Sequence, residues 1–376
     1  MTAALPDWLA APLPAVAAVE AEITRALRTS EHDIRSLAAL LSPAAAPRLE
    51  EMAQHARALT LRHFGRAIPL YAPLYLSNYC PASCTYCGFA SDLRIARHKL
   101  SPRELDAELA ALHDKGIEEI LLLTGDRAAV ADYAYVRDCV ALAAGRFHCV
   151  AVEVFAMTEE EYRGLADAGC TSVTLYQETY DPVRYAALHK SGPKKDYLWR
   201  LEAPARALAA GIRFAGVGVL LGLSDPAADL LALYRHVCEL RRRFWKAGIA
   251  ISFPRIRPEP GGYQAEFPVD EAFLARIICA FRICLPDLPL VLSTRERPRF
   301  RDGMAGVGIS KMSVASRTSV GGYDLATVPS GSQFDISDER DVATFCAALH
   351  AKGLQPVFKN WDGVYREPTA PVALTA

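Results

Sequence analysis

Residues 74–89 read LYLSNYCPASCTYCGF, an apolar run followed by three cysteines at positions 80, 84 and 87. Cysteines spaced by three and then by two residues can lie on one concave loop and reach a single centre. Thiolates are soft ligands that suit zinc or iron-sulfur centres. A disulfide would use two of the three, and a structural zinc site usually takes four ligands from two separated pairs, but no second Cys-x2-Cys pair follows. The stretch therefore favours a cluster that three cysteines hold and that leaves one iron open to a small molecule.

The composition argues against several classes of function. The chain has 376 residues, 51% hydrophobic and 23% charged, and its net charge of -1 gives no reason to expect nucleic acid or an anionic membrane surface. The longest uncharged apolar run, FAGVGVLLGL at 214–223, is far shorter than the ~20 residues of a membrane helix. The start, MTAALPDWLAAPLP, lacks the pattern of a secretory signal. We therefore expect a soluble cytoplasmic protein whose ten cysteines are reduced thiols or metal ligands.

Eight short apolar runs alternate with helix-like segments after about residue 70. The runs are YAPLYLSN (71–78), EEILLLTGD (118–126), CVAVEVFA (149–156), SVTLYQET (172–179), FAGVGVLLG (214–222), IAISFPRIR (249–257), LPLVLSTRE (288–296) and GVGISKMSVAS (306–316). Nearly continuous apolar strands that alternate with helices indicate a parallel sheet with both faces covered. Eight such units predict an α/β fold of the closed (β/α)8 or TIM-type barrel class.

The segments around these runs complete the predicted domain organisation. Residues 14–66 are Ala-rich with apolar residues at helical spacing, which predicts helices. Ser101 and Glu104 form a capping box before the first barrel helix, and Gly116 can end that helix. We predict three units: a helical N-terminal extension over 1–70, the barrel over 71–320, and a C-terminal segment over 321–376 that packs on the barrel.

Polar residues gather where each apolar run ends. They are Asn78 beside the cysteines, Thr124 to Asp126, Glu153, Gln177 and Glu178, Gly222 to Ser224, Arg255 to Arg257, Arg295 and Glu296, and Ser313 to Ser316. In barrels of this kind the chemistry lies on loops at the carboxyl ends of the strands, so these groups would all face one mouth. The alternative is that strands simply become polar as they reach solvent, which is harder to accept for eight runs than for one.

The spacing Cys-x3-Cys-x2-Cys, with the aromatic Tyr86 before the last cysteine, resembles the signature of the radical S-adenosylmethionine (SAM) superfamily. That resemblance implies one 4Fe-4S cluster on Cys80, Cys84 and Cys87, with its unligated iron chelating the amino and carboxylate groups of SAM. An injected electron would cleave SAM to methionine and a 5'-deoxyadenosyl radical. The protein would position the reactants and exclude water.

The resemblance also implies a set of cofactor-binding residues. LLLTGD is similar to the superfamily's glycine motif on the second strand, so Thr124, Gly125 and Asp126 would hold the methionyl amine. Glu178 matches the position of a ribose-binding carboxylate, and Arg200 matches an arginine that binds the cofactor carboxylate. The other predicted cofactor-binding residues are Tyr86, Glu153, Tyr176 and Leu220. Asp126 and Glu153 are also open to a purely structural role.

A closer resemblance extends from about residue 30 to residue 364. It is carried by PLYLSNYCPASCTYCGF, LLLTGD, LYQETY, WRLEAPARALAAGI, GLSD, SFPRIRP, LSTRE, GGY and GLQPVFKNWD, which are similar to 2-iminoacetate synthases, the tyrosine lyases of anaerobic thiamin biosynthesis. It implies cleavage of the Cα–Cβ bond of L-tyrosine to p-cresol and 2-iminoacetate (dehydroglycine), which thiazole synthase uses. It also implies an electron donor of flavodoxin or ferredoxin type.

Other functions remain open at this point. The tyrosine lyase that matures iron-iron hydrogenase carries a second cysteine cluster in a C-terminal extension, whereas the last cysteine here, Cys346, stands alone. A lyase of the same group acting on tryptophan, or serving another pathway, is the main alternative, because pocket size cannot be read from sequence. A scaffold with a structural metal clip would explain three thiols but not polar groups at every strand end. A sulfur-inserting radical enzyme would usually carry a second cluster.

Four residues are predicted to contact the substrate. Arg295 of LSTRE would bind the α-carboxylate of tyrosine, because a zwitterion in a dry barrel needs a cation and an arginine fork fits a carboxylate. Tyr75 would lie near the phenol ring. Ser313 and Ser316 rank lower, because Val-Ala-Ser follows the first serine where the family resemblance leads us to expect Ala-Gly-Ser.

Arg295 also has a structural alternative. It could pair with the carboxylate of Glu296 or Glu259 instead of a substrate. In that case Arg255 and Arg257 on the sixth strand would be the next candidates for the substrate carboxylate.

Overall fold

The computed structural model describes residues 4–324 and 330–359 of the chain. The predicted C-terminal segment, 321–376, therefore lies partly outside the described residues, as do the last three residues of GLQPVFKNWD. The division of the chain at residues 70 and 320 stays a prediction.

Eight parallel strands form the centre of the molecule. They are β1 (Ala67–Ser77), β2 (Glu119–Thr124), β3 (Cys149–Glu153), β4 (Cys170–Thr174), β5 (Phe214–Gly218), β6 (Gly248–Ser252), β7 (Leu290–Leu292) and β8 (Lys311–Ser313). Each strand pairs with the next along the chain, and β8 pairs with β1, where Leu70 lies opposite Met312. This closed arrangement confirms the predicted (β/α)8 barrel.

Helices precede the barrel and connect its strands. They are α1 (Asp7–Ala10), α2 (Glu20–Arg28), α3 (Ile34–Leu41), α4 (Leu49–Phe64), α5 (Pro102–His113), α6 (Tyr133–Ala144), α7 (Glu159–Asp167), α8 (Pro182–Leu188), α9 (Tyr197–Leu201), α10 (Ala203–Ala209), α11 (Pro226–Arg243), α12 (Glu271–Cys284), α13 (Pro298–Met304) and α14 (Val342–Ala351). The predicted capping box starts α5, since Ser101 Oγ accepts a hydrogen bond from the N–H of Glu104 (3.3 Å) and Glu104 Oε2 accepts one from the N–H of Ser101 (2.7 Å). The helix ends at His113, and a turn then leads to Gly116, whose φ is 79°.

The helices before β1 cover one side of the barrel. α4 packs along α12, and α3 packs against α11 and α12. Leu37, Leu40 and Met52 on these helices are fully buried, so the contact is apolar. This contact buries nonpolar surface away from water, and that burial is the main contribution that would hold the N-terminal helices in place. The predicted helical N-terminal extension is confirmed.

Side chains of the barrel strands alternate between two environments. Ile120 and Leu122, on one face of β2, are fully buried. Leu121, on the other face of β2, lines the lumen together with Tyr71 and Ser172. The lumen is thus partly polar, and the loops at the carboxyl ends of the strands lie at its mouth.

β1 begins four residues before the predicted run, because its first residues have a different partner. Ala67, Ile68 and Pro69 pair in parallel with a short ninth strand, β9 (Gln355–Val357). The sequence gives no sign of β9, since QPV is only three residues long and contains a proline, which weakens any strand prediction.

All eight strands end before their predicted runs do, and at β4, β6 and β7 this moves a predicted residue off the strand; Arg255 and Arg257 lie beyond β6, which ends at Ser252. β4 ends at Thr174, so the expectation that Glu178 ends the fourth strand is wrong. The φ of Glu178 is 72°, which lies outside the range of a strand. β7 ends at Leu292, and beyond it the N–H of Thr294 donates to the hydroxyl of Ser313 (3.1 Å) instead of to a strand carbonyl. Arg295 therefore lies on the loop after β7 rather than at the strand end.

Candidate active site

The three clustered cysteines lie on the loop after β1, at the mouth of the barrel. Cys80 Sγ accepts a hydrogen bond from the backbone N–H of Asp126 (3.3 Å), and Cys87 Sγ accepts one from the side-chain amide of Gln333 (3.7 Å). Cys84 is buried and its backbone forms an isolated bridge with His189. The loop is therefore held by contacts from three distant parts of the chain.

The predicted glycine motif after β2 lies directly against this loop. Gly125 approaches Cys80 too closely for any side chain, and the hydroxyl of Thr124 donates to the Gly125 carbonyl (2.8 Å). The Asp126 carboxylate accepts hydrogen bonds from the N–H of Arg127 (2.9 Å) and of Lys194 (2.5 Å). In the structure this carboxylate joins two loops, so its contacts match the structural alternative considered for it.

Glu178, Lys194 and Arg200 form a buried charged cluster beside the cysteines. Lys194 Nζ donates to Glu178 Oε1 at 2.7 Å, and Arg200 Nη2 donates to the same oxygen at 3.3 Å. Burial alone would raise the pKa of Glu178, but the two cations bring it below its usual value. Arg200 Nε also donates to the carbonyl of Tyr176 (2.8 Å). The structure thus brings together three predicted cofactor-binding residues and one lysine that was not predicted.

Tyr86 is buried and is oriented by a histidine that the sequence did not single out. Its hydroxyl lies 2.7 Å from Nε2 of His189, whose Nδ1 lies 2.7 Å from the carbonyl of Tyr185. Burial lowers the pKa of His189 to about 3, so the ring is neutral. Nδ1–H therefore donates to Tyr185, and Nε2 accepts the hydrogen bond of Tyr86. Leu220 packs in the same apolar cluster as Tyr86.

Glu153 and Tyr75 lie deeper, where the lumen opens into the mouth. Burial and, to a lesser extent, the charge of Glu178 raise the pKa of Glu153, Arg295 opposes both, and the resulting pKa is about 7. The Tyr75 hydroxyl donates to Oε1 of Gln333 at 2.6 Å, and its ring meets Phe89 edge-on. Tyr75 and Glu153 both interact electrostatically with Arg295, so two predicted substrate residues, Tyr75 and Arg295, lie near Glu153, which was predicted to bind the cofactor.

Arg295 has no carboxylate within 4.0 Å in the described part of the chain. Its guanidinium lies over the ring of Phe334, 3.4 Å from the ring centroid, and Nη1 donates to the carbonyl of Arg255 (3.3 Å). Burial lowers the pKa of Arg295, although not enough to discharge a guanidinium. The side chain is therefore a half-buried cation available to an anion.

The structural alternatives for Arg295 are wrong. Glu296 pairs with Arg255 instead. The carboxylate of Glu259 accepts hydrogen bonds from the N–H groups of Gly261 (2.5 Å) and Tyr263 (2.6 Å). Arg255 is engaged by its ion pair with Glu296, and Arg257 donates to the hydroxyl of Ser337. Neither Arg255 nor Arg257 is therefore as free as Arg295 to bind a substrate carboxylate.

Ser313 and Ser316 are both buried and bonded within the protein. The Ser313 hydroxyl accepts from the N–H of Thr294, and the Ser316 hydroxyl lies 3.4 Å from that of Ser313. These contacts fix the loops after β7 and β8. The predicted substrate contact of either serine stays a prediction.

Two known families match adjacent parts of the chain. Residues 74–236 match the radical SAM superfamily, and residues 252–355 match the Biotin and Thiamin Synthesis associated domain. The 2-iminoacetate synthase of Escherichia coli (strain K12) is 41% identical over 343 residues, which cover 91% of this chain and 91% of that protein. The chain belongs to the 2-iminoacetate synthase family. It is a radical SAM enzyme whose cofactors are a 4Fe-4S cluster and SAM.

Solved structures support the fold of this 2-iminoacetate synthase family member. The FeFe-hydrogenase maturase HydG from Carboxydothermus hydrogenoformans superposes with a TM-score of 0.84 at 30% identity, covering 90% of this chain and 79% of that chain. Methylornithine synthase (PylB) shares the fold, with a TM-score of 0.73 at 18% identity over 89% of this chain and 97% of that chain.

The donor chemistry of the cysteine loop fits the cluster of this enzyme family. In the described residues, no three His, Cys, Asp or Glu side chains are grouped to bind a single metal ion. The three thiols do interact electrostatically with one another, and burial raises the pKa of Cys80 to about 11 and raises the pKa of Cys84 and Cys87 as well. Buried thiolates of this kind need a cationic centre, which a cluster supplies.

Lys194, His189, Gln333 and Phe334 are the site residues that the sequence did not predict. Lys194 lies in SGPKKD, between two short helices, and Gln333 and Phe334 lie on the C-terminal side of β8. None of them follows an apolar run or belongs to a spaced motif. Among the described residues no helix is long and apolar enough to cross a membrane.

Proposed function

We propose that the enzyme is a tyrosine lyase that cleaves the Cα–Cβ bond of L-tyrosine to p-cresol and 2-iminoacetate. The proposal is supported by the extent of the similarity to a 2-iminoacetate synthase, 41% identity over 91% of each chain. The alternative of a related lyase that acts on tryptophan is not favoured by these relatives.

The observation that carries the proposal is the unpaired cation of Arg295. A free amino acid brings a carboxylate into the barrel, and burying that charge is unfavourable unless a cation meets it. Arg295 is half-buried, has no carboxylate partner within 4.0 Å in the described chain, and stacks on Phe334. Its planar fork can bind both carboxylate oxygens at once.

The residues of the chain would hold the reactants and exclude water. When bound, the cluster and SAM supply the 5'-deoxyadenosyl radical. Arg295 would fix the α-carboxylate of tyrosine so that its amino group faces the cofactor, with Tyr75 near the phenol. Fixing a reactant in this way replaces a bimolecular encounter with an oriented one. Glu178 would bind the ribose of SAM and Arg200 its carboxylate.

Two partners and a location follow from the same proposal. 2-Iminoacetate is an imine that water hydrolyses, so we propose that thiazole synthase accepts it as it is released. A flavodoxin or ferredoxin type protein would deliver electrons to the cluster. Such partners place the enzyme in the cytoplasm.

A product assay with tyrosine and tryptophan, each supplied separately, tests the proposal. The anaerobically reconstituted enzyme, with about four irons per chain for one cluster, is incubated with SAM, reductant and either tyrosine or tryptophan. We expect p-cresol from tyrosine in step with 5'-deoxyadenosine, and little product from tryptophan. Formation of an indole product from tryptophan at an equal or higher rate would overturn the assignment of tyrosine.

A further inference from the structure

Residues 330–338 form an irregular segment at the mouth of the barrel that is held by its backbone. The N–H of Gln333 donates to the carbonyl of Thr318 (2.9 Å), and the Gln333 carbonyl accepts from the N–H of Gly88 (3.1 Å). Further along, the N–H of Ser337 donates to the carbonyl of Thr294 (2.9 Å). These bonds do not use the Gln333 side chain, so that side chain can be changed without releasing the segment.

The Gln333 side chain connects a cluster ligand with a wall of the substrate pocket. Its Oε1 accepts the hydroxyl hydrogen of Tyr75 at 2.6 Å, and its Nε2 donates to Cys87 Sγ at 3.7 Å. The orientation of the amide follows from chemistry. A thiolate can only accept, so the NH2 group must face Cys87, and the carbonyl oxygen is left for Tyr75.

We propose that Gln333 is a positioning residue that raises the reduction potential of the cluster through Cys87 and fixes Tyr75 as a hydrogen-bond acceptor toward the substrate. Gln333 itself lies outside the cysteine motif. Gln333 acts through Cys87 and Tyr75 and need not touch either cofactor or substrate.

The effect on the cluster follows from charge. Reduction adds an electron to a centre that its thiolates already make electron-rich. A hydrogen bond to a ligand sulfur stabilises that reduced state more than the oxidised one, so it raises the potential. Removing the donor should make the cluster harder to reduce.

The effect on Tyr75 follows from its single hydroxyl hydrogen. Because Gln333 accepts that hydrogen, only the oxygen lone pairs of Tyr75 remain for the pocket. Tyr75 can then accept a hydrogen bond from a substrate donor, such as a phenol O–H, but cannot donate one. This part of the inference rests on the proposed function, whereas the effect on the cluster does not.

A redox titration of the substrate-free enzyme, followed by EPR, tests the effect on the cluster. Gln333→Met keeps the length of the side chain without the donor, and Gln333→Glu places a negative charge beside the sulfur. We expect midpoint potentials in the order wild type, Gln333→Met, Gln333→Glu, from highest to lowest. Ser332→Ala, one residue earlier on the same segment, should match wild type. Equal potentials in all four proteins would overturn the proposal.

A measurement on unsubstituted enzyme keeps the inference testable if a variant loads its cluster poorly. Wild-type enzyme labelled with 15N in glutamine side-chain amides should show a weak 15N coupling to the reduced cluster in pulsed EPR. The absence of that coupling would refute the bond to Cys87.

Steady-state kinetics test the effect on Tyr75. Gln333→Met and Tyr75→Phe should each raise the KM for tyrosine, and the double variant should raise it little more than either single change, because both remove one connected pair. Fully additive effects would contradict the link between the two residues. If no variant or wild type cleaves tyrosine, the proposed function fails while the redox result still stands or falls alone.

Discussion

Gly125 lies so close to Cys80 that a Cβ on residue 125 would come within 2.6 Å of the Cys80 Cβ and of the Tyr79 carbonyl oxygen. Both contacts are with atoms at or next to the backbone, which cannot swing away as the end of a long side chain can. The close approach lets the N–H of Asp126 reach Cys80 Sγ. Glycine at this position therefore sets the distance between the β2 loop and the cluster loop.

Gly125→Ala should lose most of its iron while remaining folded. The added methyl must push the cysteine loop outward, and a cluster tolerates little change in the positions of its ligands. Iron analysis and circular dichroism check this together. Gly145→Ala is the control, because its Cβ would meet only the Leu142 carbonyl oxygen at 3.4 Å. A Gly125→Ala enzyme with full iron content would contradict the close-packing argument.

Replacing any one of Cys80, Cys84 and Cys87 by Ala should abolish reductive cleavage of SAM. The three thiols interact electrostatically with one another, and a cluster with two ligands is not retained at a site built for three. The measurement is 5'-deoxyadenosine formation with iron content. Cys346→Ala, a half-buried cysteine on α14, should behave as wild type. A Cys84→Ala enzyme with a full cluster and turnover would rule out this ligand set.

Glu178→Ala and Arg200→Ala should each weaken the binding of SAM and leave the iron content unchanged. Losing one partner of a buried charged pair typically costs ~2 to 5 kcal/mol. The change is measured as the apparent constant for SAM. A pair on the surface, Glu202 and Arg243 at 3.2 Å, supplies control variants that should have no effect. Normal SAM binding in both buried variants would refute their assignment to the cofactor.

Glu153→Gln should stabilise the cluster-loaded, SAM-free enzyme at pH 8 but not at pH 5. The pKa of Glu153 is raised from 4.5 to about 7, so the native state holds this proton more tightly than the unfolded state does. Stability is therefore lost as the pH rises through this window, and Gln removes the loss. The gain is at most a few kcal/mol, since one pKa unit is worth about 1.4 kcal/mol.

The control is Glu161, whose pKa is shifted in the opposite direction to that of Glu153. Arg127 lowers the pKa of Glu161 against the effect of burial, through two hydrogen bonds of 2.8 Å. Glu161→Gln should therefore destabilise the enzyme at pH 8 and at pH 5 alike, because this contribution is lost only as the pH falls through the lowered pKa. Melting temperatures of both variants at the two pH values decide the matter. A Glu153→Gln protein that melts at the same temperature difference from wild type at both pH values would show that Glu153 ionises normally.

The barrel could be predicted because its signals are local. Each strand is an apolar run, and the cysteines, Gly125 and Arg295 stand at fixed offsets from such runs. The carboxyl ends of parallel strands meet at one edge, so the residues that line the mouth could be predicted from the sequence. The position of Glu178 could not be predicted in detail, because its positive φ breaks the strand that its sequence continues.

The remaining parts of the site depend on contacts between distant segments. Gln333 reaches Tyr75 across 258 positions, and nothing in SGSQFD indicates that partner. Lys194 reaches Glu178 from a loop between two short helices. The pairing of Glu296 with Arg255 rather than with Arg295 likewise follows from packing around the mouth, which sequence does not encode locally.

The most direct measurement is p-cresol formation by Arg295→Lys, with 5'-deoxyadenosine and iron measured in the same samples. Lysine keeps the charge but cannot hold a carboxylate with two parallel hydrogen bonds, so tyrosine would be misplaced. We expect a loss of p-cresol of at least ~10²-fold, the scale expected for a misplaced reactant, with the cluster and uncoupled SAM cleavage retained. Arg299→Lys, on the exposed side of α13, should be unaffected. Formation of p-cresol near the wild-type rate by Arg295→Lys would show that Arg295 does not hold the carboxylate of tyrosine.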